Sequence, residues 1–204
     1  YNNLMSTRGF TLIELMVSVS IFIFMTVLLV AKYGNFNQSV LLTNLAYDIA
    51  LTLRTAQTYG LSVQGQTGQF QKAYGVAFCK TTGGNCVMGQ NNQTMLLFSD
   101  TDDVDNTRKY VYGTADTVVN KYSLKRGAKI VGFCYSESLS SCSGPDTSAN
   151  RLDISFLRPN PDALFARNGT YSRQTQYAKI FIEASDGSRR SIVVRKFGQI
   201  SVEN

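Results

Sequence analysis

Four cysteines stand in two close pairs, Cys79 with Cys86 and Cys134 with Cys142. Thiols so placed could hold a metal or close disulfides. A zinc site wants about two to four residues between paired thiolates, so that both reach one tetrahedral ion. The gaps here are longer, and disulfides formed in an oxidising compartment are the expected state. A bridge closing so small a loop contributes about 2 to 3 kcal/mol, enough to pin an irregular segment but not to replace a core. Four cysteines allow other pairings, and the sequence alone leaves them open.

Oxygen ligands crowd a second place, where Asp100, Asp102, Asp103, Asp105 and Asn106 share one short stretch. Calcium takes such hard ligands, with Asp100, Asp102 and Asp105 the candidates and calcium the single candidate cofactor. The spacing is not that of an EF-hand, since it lacks the sharp-turn glycine and a glutamate at the twelfth place. A solvated acidic hairpin accounts for the cluster equally well. Cations gather at Lys121, Lys125, Arg126 and Lys129, and again at Arg189, Arg190, Arg195 and Lys196. The net charge of +6 is otherwise dispersed, as on a solvated basic surface. DNA held by the second cluster would be bound through phosphates and lost with salt. Strand alternation would set Arg189 and Arg195 on one face and Arg190 and Lys196 on the other, splitting that cluster. There is no histidine, no G-x-S-x-G elbow and no P-loop glycine pattern. No catalytic residue is assigned, and no enzyme is expected.

From Phe10 to Ala31 the one ionisable side chain is Glu14. As a helix rising about 1.5 Å per residue, this stretch covers the ~30 Å hydrocarbon core of a bilayer. A cleaved secretory signal would be shorter, would end in a small-x-small site and would not carry an acid. An acid at mid-membrane costs about 2.5 to 3.5 kcal/mol, less near the boundary, and asks for a partner.

The run Arg8-Gly9-Phe10-Thr11-Leu12-Ile13-Glu14-Leu15-Met16-Val17 resembles the type IV prepilin processing motif, without an internal gap. The resemblance implies that residues 1–9 are a leader, that prepilin peptidase cuts between Gly9 and Phe10, and that Phe10 is then N-methylated. It also implies that Glu14 pairs with a Phe10 amine, its own or a neighbouring subunit's, and so sets the axial register of assembly. The implied partners are other pilin or pseudopilin subunits, the peptidase, an inner-membrane assembly platform and membrane lipid. The implied location is the bacterial inner membrane, crossed once with the C-terminal domain outside, and a filament after assembly. Many pilins carry a proline near Ala31; this chain does not, so a fixed kink is not expected.

The elements that must position these groups follow from periodicity. Residues 10–31 form the apolar span, and residues 32–60 continue it as an amphipathic helix with Leu42, Leu45, Ile49, Leu53 and Ala56 on one face. Gly34 and Asn35 at the join permit bending, and Gly60 is expected to end the helix. Residues 61–204 read as an antiparallel β-domain, giving an α+β fold of long helix on sheet. Its strands are expected at Tyr74–Phe78, Met95–Ser99, Lys109–Tyr112, Val118–Ser123, Lys129–Phe133 and Leu152–Leu157. A hairpin follows, Ala178–Ala184 and Ser191–Lys196 around Asp186-Gly187, with Gln199–Val202 after it. This order of parts resembles the GspH/FimT type of minor pseudopilin, which implies a subunit of a type II secretion pseudopilus or a type IV pilus. Some FimT-like pilins capture DNA with C-terminal arginines, which makes Arg189, Arg190 and Arg195 candidates for that role. A calcium-stabilised adhesive pilin is a further alternative.

Overall fold

The computed structural model describes residues 9–62, 72–81, 86–87, 89–101, 110–138, 142, 144–146 and 148–203, without the side chains of 32–37. The chain divides into two compact units, Tyr1–Asn37 and Gln38–Asn204. One helix, α1 (Leu12–Leu61), contributes to both. Over Leu12–Ala31 the helix is apolar on every side with no residue buried, as a helix with no packing partner in water would be. In the second unit it is amphipathic: Leu42, Ala46, Ile49, Ala50, Leu53 and Ala56 are buried at three- and four-residue steps. Leu45, expected on the buried stripe, is only partly covered.

Among its described residues the second unit holds ten strands in two antiparallel sheets. Strands β1 (Tyr74–Cys79), β2 (Thr94–Ser99), β3 (Thr117–Ser123), β5 (Arg151–Phe156), β6 (Ala163–Arg167) and β7 (Thr170–Ser172) form the larger, in the order β3-β2-β1-β5-β6-β7. Strands β4 (Lys129–Ser136), β8 (Tyr177–Glu183), β9 (Arg189–Arg195) and β10 (Ile200–Glu203) form the smaller, in the order β10-β9-β8-β4. The core gathers the buried helix stripe, alternate residues of β1, β2, β5 and β6 such as Val76, Leu97, Ile154 and Phe165, and Ile130, Ile180, Ile192 and Ile200 of the smaller sheet. The α+β helix-on-sheet layout is therefore present, with two sheets sharing the helix.

Three local expectations are corrected. Gly60 does not cap α1, which runs one residue further. A Cβ there would lie 2.3 Å from the Phe156 carbonyl oxygen, so glycine is required for close approach to β5. The strand expected at Lys109–Tyr112 is absent from its described residues, 110–112, Lys109 lying outside them: Tyr110 has φ 67°, and Tyr112 packs from outside the larger sheet onto Phe98, ring centroids 5.2 Å apart. Tyr112 is buried there in a second small cluster with Ala77, Leu96 and Phe98, while Tyr110 packs edge-on against Tyr171. The hairpin β6–β7 was not expected, although Asn168-Gly169 is a strong turn dipeptide and both residues have positive φ, 49° and 85°. The final hairpin turns at Asp186-Gly187 with Gly187 at φ 82°.

Candidate processing and assembly site

The described chain begins at Gly9, which is exposed and has nothing within 4 Å of where a Cβ would stand. Phe10 is exposed, and Thr11 precedes the first helical residue. Thr11 and Glu14 form a reciprocal cap. The Thr11 backbone N–H and hydroxyl both donate to Glu14 Oε2, at 2.9 and 2.7 Å, and the Glu14 N–H donates to Thr11 Oγ1 at 3.4 Å. Phe10 follows Gly9 in this chain and so has no free amine, and Thr11 is the partner that Glu14 finds. The sequence reading overlooked this cap, although Thr-x-x-Glu ahead of an apolar run is its signature.

Beyond the cap, Leu12–Ala31 is a 20-residue helical segment of mean hydropathy 2.5 with no buried side chain. Its length matches the bilayer core. The hydroxyls inside it are satisfied within the helix: Ser18 donates to the Leu15 carbonyl at 3.0 Å, Ser20 to Met16 at 2.7 Å and Thr26 to Phe22 at 2.8 Å. In lipid, where no water can take an unpaired donor, this matters.

In the second unit, Cys79 and Cys86 are joined by a disulfide, as are Cys134 and Cys142, with Cα–Cα distances of 5.9 and 6.1 Å. Of the calcium candidates, Asp102 and Asp105 lie outside the described residues, as do Asp103 and Asn106. Asp100 is buried, and its Oδ2 accepts from the Tyr110 N–H at 2.8 Å. Asp116 closes the same segment, its two oxygens taking N–H groups of Thr101 and Gly113 at 2.8 and 2.7 Å. Beneath it lies a buried ion pair, Arg151 and Asp153, 2.6 Å apart. Burial raises the Asp153 carboxyl to about 6 from an ordinary 3.8, against the pull of the guanidinium.

The structure does not bring the three candidate DNA-contacting arginines together. Arg189 and Arg195 are the two ends of β9, about 20 Å apart at strand rise. Arg189 donates to Glu183 at 2.8 Å, whose carboxyl is held low mainly by hydrogen bonds from Arg189 and Lys129. Arg190, on the other face, reaches Ser39 Oγ at 3.3 Å. Sequence reasoning also passed over a groove of about 680 Å³ between α1 and the β3–β4 connection, where Leu41, Leu45 and Leu51 meet Lys121, Lys125 and Arg126.

Residues 4–30 match the model of a family described as the prokaryotic N-terminal methylation motif. That motif is the signal of type IV pilin-like substrates of prepilin peptidase, whose members are structural subunits. No characterised protein and no solved structure matches the chain.

Proposed function

We propose that the protein is a minor pilin or pseudopilin subunit of a type II secretion pseudopilus or a type IV pilus, and that it acts as a structural part and not as an enzyme. Prepilin peptidase would cut between Gly9 and Phe10, Phe10 would be methylated, and Leu12–Ala31 would pass from the membrane into a filament core. One observation carries the reading: an apolar helix of bilayer length with none of its residues buried opens three residues after the glycine of the matched methylation motif, with Glu14 in its first turn. Nothing in water would leave such a helix uncovered, because its apolar surface gains roughly 25 cal/mol per Å² on burial. Lipid, and then neighbouring helices of the same kind, would cover it.

The choice of a minor subunit is supported by the β-domain, which has two sheets and two disulfides. The test is mass spectrometry of the protein purified from cells with and without a working prepilin peptidase. A chain beginning with N-methylated Phe10 only where the peptidase is present supports the reading. Retention of residues 1–9 in both strains overturns it.

A further inference from the structure

The groove between α1 and the β3–β4 connection has an apolar floor and a cationic rim. Leu41, Leu45 and Leu51 of the helix line it with Tyr122 and Leu124, and Lys121, Lys125 and Arg126 stand at its edge. The rim is held in an uncommon way. Arg126 and Gly127 occupy consecutive left-handed positions, φ 59° and 74°, in a turn closed by the Ala128 N–H on the Lys125 carbonyl at 3.3 Å. Asparagine or glycine would sit at position 126 without the steric penalty that a long L-side chain meets there, so an arginine at that place runs against local preference. Asp48 also lines the groove, and the cations outnumber it.

Gln38 lines this groove too, and the apolar span ends at Ala31. Seven residue steps separate them, so the chain holds the Gln38 end of the groove within roughly 25 Å of the bilayer even if every step were fully extended. A cationic rim on so short a tether is matched by an amphipathic anion that the membrane itself supplies. We infer that the groove binds the headgroup of an anionic phospholipid, with phosphate on Lys121, Lys125 and Arg126 and the glyceryl esters and first methylenes on Leu41, Leu45 and Tyr122. This rests on the reading of Leu12–Ala31 as a membrane span. The bound lipid would dock the domain on the bilayer before extraction and would be given up when the subunit leaves.

The test uses the full-length chain reconstituted in phosphatidylcholine vesicles and in vesicles with a third phosphatidylglycerol, compared by hydrogen exchange over residues 38–45 and 121–128. Flotation with both kinds of vesicle checks the membrane span separately, so failure of that reading shows as loss of flotation. Phosphatidylglycerol should slow exchange in these two segments, and salt at about 0.5 M, where the screening length falls to a few Å, should reverse it. Lys125→Gln with Arg126→Asn should abolish the slowing, with lipid affinity lowered about fivefold for each cation removed. Arg126→Asn suits the left-handed turn, so the variant keeps its fold. Equal exchange in both vesicles, with flotation intact, overturns the proposal. So does protection by a duplex DNA that phosphatidylglycerol does not reproduce, which would make the rim a nucleic-acid surface.

Discussion

Glu14 has two chemistries that a single substitution can separate. Its carboxylate accepts both the Thr11 N–H and the Thr11 hydroxyl, and on the proposed function its charge would meet the amine that cleavage after Gly9 would release. Glu14→Gln keeps an oxygen that can accept from Thr11 and removes the charge; Thr11→Ala keeps the charge and removes the hydroxyl from the cap. Losing such a cap costs about 1 kcal/mol, roughly a fivefold change in the equilibrium that starts the helix. An unpaired carboxylate held in lipid costs more, up to about 2.5 to 3.5 kcal/mol at mid-membrane, and pairing with an amine recovers part of it. The charge should therefore dominate assembly. In cells with a working peptidase, the sheared filament fraction should lose Glu14→Gln by about tenfold or more, as expected for a pairing of about 1.4 kcal/mol or more. Thr11→Ala should stay within about fivefold of the parent. Both variants should be cut and methylated at Phe10, read by mass spectrometry. If Glu14→Gln enters filaments as the parent does, or Thr11→Ala falls as far as Glu14→Gln, then the acid serves the helix start and the register argument fails.

Three further outcomes are expected. Gly60→Ala gains about 1 kcal/mol of helix propensity, but its Cβ would sit 2.3 Å from the carbonyl oxygen of Phe156 in β5, whose backbone is paired on both sides. Overpacking of that kind costs about 1 to 3 kcal/mol, so thermal unfolding should come at lower temperature, and a rise would show that the close approach is not real. The Asp153 carboxyl is raised in the fold to about 6 from 3.8, so this group stabilises the protein fully below its unfolded value and loses that contribution as pH rises through 6. The difference in unfolding free energy between the parent and Asp153→Asn should therefore change between pH 4 and pH 6.5, and a constant difference would refute the assignment. Replacing Cys79 and Cys86 together by serine opens an eight-residue loop and should cost about 2.5 kcal/mol, a fall of roughly 5 to 10 °C in Tm. No fall would mean that the segment is pinned by something else.

The methylation motif was legible in the residue types alone, because it is local. Gly9, Phe10, Glu14 and the apolar run after them lie within one stretch, and their meaning depends on spacing along a helix that forms without help from distant parts. The amphipathic half of α1 was legible for the same reason, its buried face repeating at 3.6 residues, and so was the Asp186-Gly187 hairpin, whose turn dictates its own backbone. What lay beyond reach was whatever distant strands decide. Gly60 looked like a helix end until β5 came against it, since a glycine kept for close contact and one kept for a cap are alike in sequence. The alternation near Tyr112 looked like a strand, and the fold uses it to cover Phe98 from outside. Arg151 and Asp153 stand two residues apart on β5 and so on one face, but nothing local marks the pair as buried, because Tyr112, whose carbonyl takes the Arg151 guanidinium, covers it from a distant part of the chain. Arg189, Arg190 and Arg195 read as one cluster in the sequence, and the strand between them holds its ends apart. The groove rimmed by Lys121, Lys125 and Arg126 exists only because α1 crosses beside the β3–β4 turn, a neighbourhood that tertiary packing alone creates.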